Sequence, residues 1–113
     1  MWEVLDNFHS HVGITCVIEG EARGADKLSA LWATLARVKV ERFPAQWDKL
    51  GRAAGTVRNK LMLAAGPNEV LAFHNSIEES KGTKDMLRRA MRVGVRCVLY
   101  TDSTEYINGD IPI

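Results

Sequence analysis

The spacing of apolar positions changes period several times along the chain. Val4, Leu5, Phe8 and Val12 recur at helical spacing over residues 2–12, and Gly13 follows as a stop. Residues 14–18 form a short, nearly unbroken apolar run, which predicts a strand covered on both faces. Leu28, Leu31, Trp32 and Leu35 mark one face of a helix over residues 25–37. Residues 38–43 alternate as a second strand, closed by Pro44. Ala54, Val57, Leu61 and Ala65 place a helix over residues 51–65 despite Gly55, and Gly66-Pro67-Asn68 is a turn. Residues 69–73 read as a third strand. Met86, Leu87, Ala90 and Met91 line the buried side of a helix over residues 83–93, ended by Gly94, and residues 96–100 read as a fourth strand. Residues 101–113 are mixed and polar around an Asn108-Gly109 turn, consistent with a short hairpin or a tail.

Strands alternating with helices at these intervals predict one α/β domain over residues 1–113, with a mainly parallel sheet of four to five strands and helices on both faces. In such sheets a ligand sits beyond the carboxyl ends of the strands. Two turns are placed for that role. Glu19-Gly20-Glu21-Ala22-Arg23-Gly24-Ala25-Asp26 leads from a strand into a helix. Gly20 and Gly24 permit positive φ and close backbone approach, the helix start attracts phosphate, and Arg23 offers a charged fork. The competing account is a plain turn in which Asp26 offsets the helix dipole. The second turn, residues 74–85, ends in Lys81-Gly82-Thr83-Lys84-Asp85, with Thr83 as cap or hydroxyl donor and two lysines for charge. Arg58 and Asn59 flank the apolar stripe of the intervening helix, where they reach toward the strand ends or form a solvated face.

A net charge of +1 supplies no bulk polycation for sequence-independent nucleic-acid binding, so nucleic acid is not the expected partner and any basic function is local. At 46% hydrophobic and 26% charged residues, with no apolar stretch of spanning length, the chain reads as cytoplasmic, without a membrane association. Cys16 and Cys97 sit in apolar runs as small hydrophobes. His9, His11 and His74 lack metal-ligand spacing with them, so no metal site is expected.

Taken in order, Gly20-x-Ala22-Arg23-Gly24-Ala25-Asp26, Phe43-Pro44-Ala45-x-Trp47, Gly51-x-x-Ala54-Gly55-x-x-Arg58-Asn59-x-x-Met62 and Gly82-Thr83-x-Asp85-Met86 resemble the SLOG superfamily, in the branch related to YspA and YpsA. The resemblance implies a Rossmann-like three-layer sandwich that binds a nucleotide or a nucleotide-derived ligand such as ADP-ribose. It implies a setting in bacteria or phages, as a sensor or a sponge for a signal. Gly20, Ala22, Arg23, Gly24, Ala25, Asp26, Arg58, Asn59, Lys81, Gly82, Thr83 and Lys84 are the implied ligand-binding residues.

Three departures bear on function. Relatives begin with a further strand and a Gly-x-Arg turn, and that central strand is missing here. The sheet then closes up, or the C-terminal segment or another chain fills the place, or the chain is an incomplete version; an unpaired edge favours a homo-oligomer. The usual glycine pair is replaced by Glu78-Glu79-Ser80-Lys81. The related LOG phosphoribohydrolases place a catalytic glutamate where Met86 stands, leaving Asp85 as the nearest carboxylate. A binding module is therefore the leading expectation, with a nucleoside-monophosphate phosphoribohydrolase and a degenerate oligomeric scaffold as the alternatives.

Overall fold

The computed structural model describes residues 1–21 and 24–113, and the side chain of each of these except residue 78. The fold is mixed α/β, and its contacts divide into two compact units, Met1–Pro44 and Ala45–Ile113.

The first unit runs α1 (Trp2–His11), β1 (Cys16–Glu19), α2 (Ala25–Leu35) and β2 (Lys39–Arg42). β1 and β2 pair in parallel, from Cys16 opposite Lys39 to Glu19 opposite Arg42. α1 is fastened to α2 by polar edges of tryptophans: Trp32 Nε1 donates to Asp6 Oδ1 at 2.8 Å and Trp2 Nε1 to the Leu28 carbonyl at 3.1 Å. The His9 ring meets Trp32 edge-on. The buried side of α2 is Ala30, Trp32 and Ala33, whereas Leu28, Leu31 and Leu35 are exposed. The expected single apolar face is thus two faces. The small residues permit close approach to the strands, and the leucines point outward.

The second unit runs α3 (Trp47–Leu50), a 3-10 turn (Gly51–Ala53), α4 (Ala54–Ala64), β3 (Glu69–Phe73), α5 (Lys81–Arg92), β4 (Arg96–Tyr100) and β5 (Glu105–Ile107). Its sheet has the order β3-β4-β5, with β3 parallel and β5 antiparallel to β4. The core gathers Ala72, Ile77, Leu87, Ala90, Cys97, Leu99 and Ile111. Asn108 Oδ1 accepts from the Cys97 backbone N–H at 2.8 Å, so the end of the chain is tied to the core rather than trailing from it.

Among the described residues the strands therefore form one two-stranded and one three-stranded sheet, not the continuous four- to five-stranded sheet expected from the alternating pattern. The C-terminal segment does not stand in for a missing central strand. It pairs with β4 on the side away from β3. The helix expected over residues 51–65 is shorter at its start, because Gly51, at φ 55°, ends α3 before the 3-10 turn.

Candidate functional site

The residues singled out from the sequence fall in both units. In the first, Gly20, Gly24, Ala25 and Asp26 surround the β1–α2 turn, and Ala22 and Arg23 lie outside the described residues. Gly24 precedes α2 at φ 75°, a conformation that glycine adopts without penalty. Among the described residues of the turn Glu21 is also left-handed, at φ 56°, and Gly20 is not. Gly20 is held instead by its N–H, which donates to Asp26 Oδ2 at 3.2 Å. Asp26 thus spans the turn as well as standing in the first turn of α2, where a carboxylate favours the dipole.

Sequence reasoning missed the group at the end of β1. Glu19 is only 2% exposed. Its Oε2 accepts from the Glu21 N–H at 2.6 Å, while Oε1 is buried without a hydrogen bond among the described residues, 3.6 Å from Arg42 Nε. Arg42 also reaches Glu21, at 3.7 Å. These three residues line a cleft of about 410 Å³ together with Lys27 and Thr34. A charged residue closing an apolar run was the available signal.

Burial raises the Glu19 carboxyl above its ordinary value, against the pull of the Glu21 N–H and Arg42. A carboxyl raised on folding binds its proton more tightly in the folded chain. Its contribution to stability is present at low pH and declines as pH rises from the ordinary glutamate range through the raised value. Melting temperatures at pH 5 and pH 8 are expected to differ less in Glu19→Gln than in the unmodified protein. An unchanged difference would remove this role for Glu19.

In the second unit the structure brings Arg58, Asn59, Gly82 and Asp85 together. Asn59, buried on α4, donates through Nδ2 to the Gly82 carbonyl at 3.1 Å and to Asp85 Oδ2 at 3.0 Å. Its Oδ1 accepts from Arg58 Nε at 3.1 Å. Arg89 Nε donates to both oxygens of Asp85 at 2.9 Å. Residues expected to touch a ligand thus clasp the start of α5 to α4. Desolvation raises the Asp85 carboxyl, but the bonds from Asn59 and Arg89 and the nearby cations outweigh it and hold the group below its ordinary value. An ionised carboxylate with both oxygens engaged suits an ion pair better than a proton donor.

α5 begins two residues before the expected start. Its cap is Ser80, not Thr83: the Ser80 Oγ accepts from the Thr83 N–H at 3.3 Å. Gly82 lies in the first helical turn, where an added Cβ would meet open space. Beside this start lies a cleft of about 240 Å³, lined by Lys81, Lys84, Asp85, Arg88, Arg89 and Arg92. Lys81, Lys84 and Asp85 were expected here, whereas the three arginines were missed. The interval Lys-x-x-Lys-Asp-x-x-Arg-Arg-x-x-Arg was the signal, since it repeats on one helical stripe.

Among the described residues no group of three or more His, Cys, Asp or Glu is placed to hold a metal ion, and no helix is long and apolar enough to cross a membrane.

The sequence profile of the YspA, cpYpsA-related SLOG family matches residues 1–50. The chain is also similar to Gene 61 protein of Mycobacterium phage D29, at 33% identity over 108 residues, spanning 90% of this chain and 85% of that protein. No solved structure matches the chain significantly.

Proposed function

The chain belongs to the YspA, cpYpsA-related SLOG family, and on that premise we propose that it binds a nucleotide or nucleotide-derived ligand through phosphate, at the start of α5. The observation that carries this reading is the cleft in which Lys81 and Lys84 stand beside the first turn of α5. A helix start attracts anions through its unpaired N–H groups and its dipole, by about 0.3–1 kcal/mol for a surface charge. The same field opposes cations, so two lysines there cost helix stability until an anion arrives. A bound phosphate relieves both. The β1–α2 turn, with Gly24 and Asp26, is proposed to contribute to recognition.

A binding role is favoured over hydrolysis because Asp85 is committed to Asn59 and Arg89, and Met86 carries no acid or base. The likeness to a phage protein supports action inside a bacterial host, as a sensor or as a sponge that withdraws a nucleotide signal.

Calorimetry with AMP, ADP and ADP-ribose tests the reading. Binding is expected, weakened by about tenfold in Lys84→Gln, as for one lost charge-assisted contact. The melting temperature of that variant is expected to stay within a few degrees of the parent, since Lys84 makes no ion pair among the described residues. Arg58→Ala is a poorer probe, because Arg58 donates to Asn59 within the clasp. Absence of heat at millimolar ligand with folded protein would refute the proposal.

A further inference from the structure

The cations of α5 extend well beyond the first turn. The helix holds five basic residues and a single acidic one, Asp85. Asp85 is paired with Arg89. No carboxylate among the described residues lies within ion-pair distance of Lys81, Lys84, Arg88 or Arg92. These four positions fall on one stripe of the helix, and all line the same cleft. From Lys81 to Arg92 the stripe is about 16 Å long at 1.5 Å per residue.

The row is not explained by the stability of the helix. Lys84–Arg88 and Arg88–Arg92 are like-charge pairs four residues apart, each unfavourable by about 0.2–0.5 kcal/mol. The dipole favours Arg92 near the helix end but opposes Lys81 and Lys84 at the start. A single phosphate engages one end of the stripe and leaves the other cations unpaired. The arrangement fits an anion that repeats along its length. One strand of a duplex rises about 3.4 Å per nucleotide, so the stripe spans about four to five phosphates. Among the described residues no aromatic side chain lines the cleft, and the contacts it offers are therefore to the backbone and not to stacked bases.

We infer that the Lys81–Lys84–Arg88–Arg92 stripe of α5 is a binding groove for the phosphodiester backbone of a nucleic-acid strand, without sequence preference. This rests on the reading of the cleft as a phosphate site and extends it from one phosphate to several. A net charge of +1 for the whole chain does not oppose it, because the positive charge is concentrated on one helix face.

Fluorescence anisotropy with a labelled 20-mer, single-stranded in one arm and duplex in the other, tests the inference on the full chain. With four cations engaged, raising NaCl from 50 to 200 mM is expected to weaken binding by about 50-fold for the single strand and about 150-fold for the duplex. The arm that follows its own slope identifies the form bound. Arg88→Gln and Arg92→Gln are each expected to weaken binding several-fold and to lower the log–log salt slope by about 0.7–0.9. Lys39→Gln, whose lysine pairs with Glu41 at 3.2 Å in the first unit, is expected to bind as the parent does. Thermal melts confirm that each variant is folded.

Binding of AMP or ADP-ribose with no response to either 20-mer would overturn the inference and leave the phosphate reading standing. No response to any of these ligands would overturn both. Equal weakening by Lys39→Gln would overturn the assignment to α5. Displacement of the 20-mer by polyglutamate of equal charge, at equal concentration, would overturn the assignment to nucleic acid.

Discussion

Asn59→Ala is expected to destabilise the protein by about 2–4 kcal/mol, the range for breaking several bonds to buried and charged partners. Asn59 is 4% exposed, and its side-chain amide serves three partners: Arg58, Gly82 and Asp85. Alanine leaves the Gly82 carbonyl without that donor and removes one of the bonds that hold the Asp85 carboxylate ionised. Substitution by Asp is expected to be more damaging than by Ala, because it places a second carboxylate against Asp85. Urea denaturation of the two variants provides the comparison. A loss below about 0.5 kcal/mol, the ordinary range for surface substitutions, would show that the α4–α5 clasp carries little of the fold.

Removal of residues 105–113 is expected to abolish cooperative unfolding of the second unit at room temperature. The deletion takes away β5 and with it the backbone pairing from Val98–Ile107 to Tyr100–Glu105. It takes Ile111, 5% exposed in the core, whose burial is worth about 1.5–3 kcal/mol. It also takes the Asn108 bond to the Cys97 N–H and leaves a donor beside a fully buried residue, at a cost of about 1–3 kcal/mol. Together these approach the total stability of a small domain, about 5–15 kcal/mol. Near-ultraviolet circular dichroism and a thermal melt report the outcome. A sharp melt with retained aromatic signal would make the segment a dispensable tail.

Much of the local structure was legible in the sequence. Glu69–Phe73 and Arg96–Tyr100 are the strands that their apolar runs predict, and Gly13 and Gly94 follow their helices at positive φ. Leu87 and Ala90, chosen by helical spacing, are fully buried. The start of α5 was misread because Ser80 and Thr83 are both competent caps, and only the backbone geometry selects Ser80. The leucines of α2 were misread because helical spacing identifies an apolar stripe without saying which of two stripes meets the sheet.

The candidate site shows the same division. Lys81, Lys84 and Asp85 could be picked out as charged residues near a glycine, and tertiary structure places all three on one cleft. Arg58 and Asn59 stand beside the apolar stripe of their helix, where the sequence leaves a reach toward the strand ends and a solvated face both open; packing of α4 on α5 gives Asn59 an internal partner in Asp85, and Arg58 donates to Asn59. Glu19 and Arg42 belong to different strands, and their approach depends on the register that sets one opposite the other.

Local sequence thus determined the helices and strands, their glycine stops and the basic stripe of α5, because periodicity and turn chemistry act over a few residues. Tertiary structure alone decided that the strands divide into two sheets, that residues 105–107 pair with β4, and that Asn59 faces inward. Each of these depends on contacts between residues far apart in the chain, which no local pattern encodes.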